Sequence, residues 1–243
     1  MPDVSLVILA GAFAGGMVSG LTGFGTGLVT LPIWLQVVSP LLASPLVVLC
    51  SVVAQVQTLP AIWHAIDWRR LAPFVAGGAA GVPLGAWALP HVRVNDFKTG
   101  VGVILVVVCG GLLLTGSQVR IRRGGRAADA AVGLCGGLLG GLAGLSGPLP
   151  TLWASLRGWG KDERRAVFQG FNLSILALAL AAQAVAGYLT REVWWLLLAA
   201  LPGTFTGAWI GRRLYARLNN AGFHRAVLAL LFVAGVAMVL TAH

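Results

Sequence analysis

The chain has 243 residues, 58% of them apolar and 10% charged, with a mean hydropathy of +0.87 and a formal net charge of +10. A water-soluble domain carries about 25% charged residues, so too few are present here to cover a surface facing water. The net charge is not read as a nucleic-acid footprint, because no basic stretch is interleaved with aromatics and Lys and Arg mark the cytoplasmic loops of membrane proteins.

In chain order, four apolar segments occupy about residues 4–38, 44–66, 71–90 and 97–116. A polar, basic stretch at 117–129 follows, and then four more segments at about 130–156, 166–188, 193–211 and 223–241. The two sets are copies. An offset of 121 aligns residues 15–31 with 136–152 and pairs Gly15, Gly16, Gly20, Leu21, Gly23, Leu28, Thr30 and Leu31 with identical residues. Further on, an offset of 126 pairs Trp68 with Trp194, Gly77 with Gly203, Gly81 with Gly207, Gly85 with Gly211 and Phe97 with Phe223. The change of offset puts five extra residues in the second copy, within the charged stretch 157–165. The domain division is therefore a first membrane repeat (1–116), a basic linker (117–129) and a second repeat (130–243). Internal duplication is common among secondary transporters.

The first segment of each copy is too long for one crossing. As a single helix, residues 4–38 would run ~52 Å against a hydrocarbon core of ~30 Å. Gly-rich stretches at 20–25 and 141–148 predict a break in the middle of each. The segment is then either one broken helix crossing once or a hairpin of two short helices. Loop charge separates the two. Single crossings place seven Lys or Arg inside and ten outside, against the positive-inside tendency. Hairpins leave only Arg93, Lys98 and Arg191 outside and fourteen inside. The expected fold is all-α and integral to the membrane, with two inverted repeats, each a broken hairpin plus three full spans. Both termini lie outside, and the membrane is a bacterial-type inner membrane. Asp3 stands where a cleavable signal would be basic, so none is read.

The paired breaks are the strongest candidate for chemistry. A break at membrane depth frees backbone N–H and C=O groups, which is tolerable only against protein or a water-filled cavity. A helix that restarts there points N–H groups and the positive end of its dipole at the cavity, which suits an anion. Thr22, Gly23, Gly25 and Thr26 in the first copy, and Gly144, Ser146 and Gly147 in the second, are the predicted lining. The same glycines could serve only as close-packing contacts, but packing alone does not call for hydroxyls or Pro148. Amides inside apolar segments (Gln55, Gln57, Gln169, Asn172 and Gln183) form a second set, since an amide donates to an oxyanion without fixing a charge. Gln169 and Asn172, three apart on one helical face, complete the predicted site. All seven acidic residues fall in loops or at segment ends, so no intramembrane carboxylate is available to couple protons or sodium. Cys50, Cys109 and Cys135 lie in apolar stretches and read as small buried hydrophobes. No hydrolase, P-loop or zinc-protease motif is present, so no enzyme activity and no cofactor is expected.

The duplicated G-G-x-x-x-G-x-x-G core at 15–23 and 136–144, the sequence Ile66-Asp67-Trp68 and the stretch at 165–174 resemble the sulfite exporter TauE/SafE family over essentially the whole chain. The resemblance implies transport of a sulfur-containing anion, sulfite or an organosulfonate. The expected mechanism is an anion site near the midplane, with movement of the halves alternating access. The stretch at 145–153 has less glycine than is common in the family. A channel-like facilitator of another organic anion and a non-transporting scaffold subunit are the alternatives, and self-association into a homo-oligomer is left open.

Overall fold

The computed structural model describes residues 2–88, 94–115, 121, 124–143 and 146–240, and no strand occurs among them. In chain order the helices are α1 (Pro2–Thr22), α2 (Thr26–Trp34), α3 (Pro40–Thr58), α4 (Trp68–Ala88), α5 (Val94–Thr115), α6 (Gly125–Ala143), α7 (Pro148–Leu156), α8 (Lys161–Val185), α9 (Arg191–Arg217) and α10 (Asn220–Leu240). Single 3₁₀ turns at Leu59–Ala61 and Trp63–Ala65 lead from α3 to α4. Val4–Thr22, Leu41–Ala61, Lys161–Val185, Arg191–Arg217 and Asn220–Leu240 are each long and apolar enough to cross a bilayer. A helix satisfies its own backbone polar groups, as hydrocarbon requires. The protein is an all-α, multi-pass integral membrane protein.

The helices form two compact units. One contains α1, α2, α3, α9 and the end of α8 from Leu176; the other contains α4 to α7, α8 up to Ile175, and α10. Each unit draws on both halves of the sequence. In the first, the positions where Cβ atoms would stand on Gly203, Gly207 and Gly211 of α9 are filled by the carbonyl oxygens of Leu9, Phe13 and Met17 of α1. In the second, Gly77, Gly81 and Gly85 of α4 face the carbonyls of Ala130, Leu134 and Leu138 of α6 in the same way. The glycines are related by the offset of 126 and the carbonyls by 121. The duplicated glycines thus make the same backbone-on-backbone contact in each unit. Trp68 and Trp194, also a repeat pair, stand exposed in the first turns of α4 and α9, a placement that suits an aromatic belt at the membrane surface.

The first segment of each copy folds back on itself. Gly15 of α1 faces the side chains of Thr26 and Thr30 of α2, and Gly11 faces Trp34, whose Nε1 donates to the carbonyl of Ile8 at 3.1 Å. α2 therefore runs antiparallel to α1. In the second copy, Gly136 faces Pro150 and Gly140 faces Ser146. The arms are unequal, which corrects the expectation of two short helices: α1 has 21 residues and α6 has 19, whereas α2 and α7 have nine each. Gly11, Gly15, Gly16 and Gly20 do not break α1, because they lie where a neighbouring helix comes close: α2 over the first two, the α9 backbone over the others. The break comes only where glycines take positive φ, at Gly23 (86°) and Gly25 (89°).

Two stretches read as loop are partly helical. α6 starts at Gly125, inside the basic linker. α8 starts at Lys161, so Arg164 and Arg165 lie in a helix, 4% and 0% exposed. The start of α8 follows from its acidic first turn, which suits the helix dipole. The Gly160 N–H also donates to Glu163 Oε2 at 3.2 Å, one half of a capping box.

Gly81→Ala and Gly207→Ala should each lower stability by about 1–3 kcal/mol, since the added methyl meets an immovable carbonyl. Gly111→Ala, with nothing within 4 Å of its Cβ position, should be neutral or stabilise by up to about 1 kcal/mol. Thermal unfolding in detergent, followed by tryptophan fluorescence, measures all three.

Candidate functional site

In the first unit the break between α1 and α2 is built on left-handed backbone. The Gly23 N–H still bonds the Ser19 carbonyl at 2.7 Å, and Gly25 then precedes α2 with no side chain capping that helix. Thr22 Oγ1 lies 2.9 Å from the Val18 carbonyl and 3.0 Å from that of Phe24, so backbone oxygens occupy this hydroxyl. Thr26 is 2% exposed and its Oγ1 has no hydrogen-bond partner; the buried Ser19 hydroxyl has none either. A buried polar atom without a partner costs free energy comparable to a lost hydrogen bond.

In the second unit, Gly144 lies outside the described residues. Gly147 precedes α7 in ordinary right-handed conformation (φ −73°), and Pro148 opens the helix where its missing N–H costs nothing. The two breaks therefore differ in backbone geometry. Ser146 packs on Gly140, where a Cβ would come within 3.1 Å of it, and its Oγ donates to Asn172 Oδ1 at 3.0 Å. This bond ties the break directly to α8. Along one face of α8, Arg165, Gln169 and Asn172 follow at one-turn spacings and are all buried. Arg165 Nε donates to Gln169 Oε1 at 3.3 Å. Arg165 and Ser146 thus engage the two amide oxygens on this face.

The neighbouring Arg164 has a different task. It contacts His224 Nδ1 at 2.9 Å and the Asn220 carbonyl at 3.2 Å, and lies over the Phe223 ring. It fastens α8 to the start of α10. At the same end of this unit Arg70 pairs with Asp67 and Glu163 and stacks on Trp159, Arg157 stacks on Trp153 and Trp159, and Trp153 donates to buried Asp129 at 2.7 Å. Of the remaining amides, two hold helices together in the first unit: Gln57 donates to the Phe205 carbonyl and Gln183 to Ser44. Cys50 and Cys109 are buried as expected, whereas Cys135 is exposed.

The chain matches the family Sulfite exporter TauE/SafE over residues 7–238. It belongs to that family. It is also similar to the probable sulfite/organosulfonate exporter TauE of Cupriavidus necator, with 27% identity over 253 residues, covering 100% of this chain and 95% of that protein. No solved structure matches it.

As a TauE/SafE family member the chain is a membrane transporter, and its buried polar groups are read in that light. The predicted residues fall into two groups, one in each unit: Thr22, Gly23, Gly25 and Thr26 at the first break, and Ser146, Gly147, Gln169 and Asn172 at the second. Sequence reasoning did not find that Arg165 is buried beside Gln169. The signal was available, because Asp162 and Glu163 announce a helix start and Arg165 then stands four residues before Gln169.

Gly25→Ala should cost about 1–2 kcal/mol through the left-handed backbone alone, with Gly25→Asn costing less. Gly147→Ala should lack that penalty. Thermal unfolding of the purified variants distinguishes them.

Proposed function

We propose that this transporter exports a small sulfur-containing anion, sulfite or an organosulfonate, across a bacterial-type inner membrane. The observation that carries the reading is the bond between Ser146 at the second helical break and Asn172 on α8. It joins a Gly-rich break, of the kind that lets a ligand approach backbone N–H groups, to a buried amide face. The name of the Cupriavidus necator relative supports the choice of anion. Thr26, buried with its hydroxyl unpartnered, is the corresponding donor at the first break.

Export fits the energetics. An anion leaving a cell with a negative interior gains roughly 2.3 kcal/mol per charge per 100 mV, so no intramembrane carboxylate is needed for coupling. The division into two inverted repeats, with the basic linker inside and both termini outside, belongs to the same proposal. It is supported by the loop charges and by the glycine contact that recurs in each unit.

In proteoliposomes under a set membrane potential, the protein should move sulfite and an organosulfonate faster than acetate. If no sulfur anion moves through well-folded protein, the reading fails. Thr26→Val should abolish most flux while leaving stability unchanged or higher by about 1 kcal/mol, since it removes an unpaired buried hydroxyl. Asn172→Leu should also stop flux with expression intact; a scaffold subunit would leave both variants silent. A C-terminal reporter active only in the cytosol should stay dark.

A further inference from the structure

We propose that the C-terminal end of α9 binds the phosphate of an anionic phospholipid, with Arg213 and Arg217 as its cations and Trp209 as its platform. α9 is long and apolar enough to cross the bilayer, and it meets α1 through Gly203, Gly207 and Gly211. At about 100° per residue, Leu198, Phe205, Trp209 and Arg213 fall on the opposite face. All four are exposed. An exposed apolar stripe on a spanning helix meets lipid, and an aromatic ring near its end marks the headgroup level. Here that stripe runs directly into a cluster of arginines, with Arg212 and Arg217 to either side of Arg213.

Arg213 is placed unusually for an exposed cation. Its guanidinium carbon lies 3.6 Å from the centroid of the Trp209 ring, one turn back along the helix. The side chain therefore folds toward the membrane instead of reaching into water. Stacking covers one face of the guanidinium and leaves its N–H edge and its charge available to a phosphate. Among the described residues, Arg212, Arg213 and Arg217 make no side-chain hydrogen bond and no ion pair. No Asp or Glu follows Glu192 in the chain, and Glu192 lies ~30 Å away at the start of α9, well beyond the screening length. The helix dipole alone would be served by Arg217 in the last turn. Nor does the duplicated fold require the cluster. At the offset of 126, Trp209, Arg212, Arg213 and Arg217 correspond to Pro83, Ala86, Trp87 and His91. The cluster faces away from α1, whose end carries the first break, so a lipid phosphate fits it better than the transported anion. The inference stands on the membrane placement and does not depend on which anion is carried.

The test titrates the purified full chain in detergent with phosphatidylglycerol and with phosphatidylcholine of the same acyl chains, counting bound lipid by native mass spectrometry. Wild type should bind phosphatidylglycerol at least about ten-fold more tightly than phosphatidylcholine. Arg213→Gln and Arg217→Gln should each lose about five-fold of the phosphatidylglycerol affinity and none of the phosphatidylcholine affinity. Arg213→Lys, which keeps the charge without the fork, should lose less than Arg213→Gln. Trp209→Leu keeps every charge but releases Arg213; it should weaken phosphatidylglycerol binding, and it decides the matter if Arg213→Gln does not fold. Equal affinity of wild type for the two lipids overturns the proposal. So does unchanged phosphatidylglycerol binding in folded Arg213→Gln and Arg217→Gln. Unchanged binding in Trp209→Leu overturns the role of the stacked ring. Inorganic phosphate that displaces phosphatidylglycerol at equal concentration overturns the lipid as occupant.

Discussion

The fold depends on two places where helix backbones touch. In a bilayer, apolar side chains gain little by leaving lipid for one another, so helices associate through close van der Waals contact and polar groups. Here the contact is made by glycines spaced four apart, Gly203, Gly207 and Gly211 against α1 and Gly77, Gly81 and Gly85 against α4's partner α6. The approach also runs the other way: Gly16 and Gly20 of α1 meet the backbone of Thr204 and Ala208, and Gly133 and Gly137 of α6 meet that of Phe74 and Gly78. Glycine on both sides brings Cα–H groups toward opposing carbonyls, an interaction of about 0.5–1 kcal/mol each. The larger effect is geometric. A long arm locked on one face can hold a short arm on another, and the short arms start at the breaks.

That arrangement explains which parts of the molecule could be read from the sequence. The repeat was legible because the contact leaves no choice of residue: only glycine fits against a carbonyl, so both copies carry it at the same positions. The fold-back was legible because the alternative violated the charge rule. The length of α1 was not. A glycine in a helix lowers intrinsic helix stability whether it sits at a break or at a packing contact, and the two differ only in whether a neighbour's backbone occupies the space. Gly20 and Gly23 are three residues apart in one Gly-rich run, yet the first lies against Ala208 and the second takes φ 86°. Tertiary contact decided between them.

Buried polar positions were legible where polarity stood out against apolar surroundings, as for Gln169 and Asn172. They were not legible where polarity was expected. Arg164 and Arg165 lie in a run with Lys161, Asp162 and Glu163, and such a run reads as a solvated loop. The structure makes it the first turns of a helix whose two arginines are buried side by side. Successive residues on a helix point about 100° apart. One guanidinium thus meets α10 and the other meets Gln169 on its own helix.

A duplicated membrane protein need not use its copies equally. The breaks are related in sequence but not in conformation: Gly25 is left-handed before α2, whereas Gly147 is right-handed before α7, with Pro148 setting the helix start. The amides have diverged as well. Gln57 and Gln183 are repeat partners and both hold neighbouring helices, while Gln169 and Asn172 have apolar residues at the matching places in α3. Duplication therefore supplied the scaffold, two glycine-locked long arms each with a short arm folded against it. Divergence along α8 then placed Arg165, Gln169 and Asn172 on one buried face. Among the described residues, the buried guanidinium groups belong to the second copy. The other copy is left with the unpaired Thr26 hydroxyl, a group that can donate without adding charge.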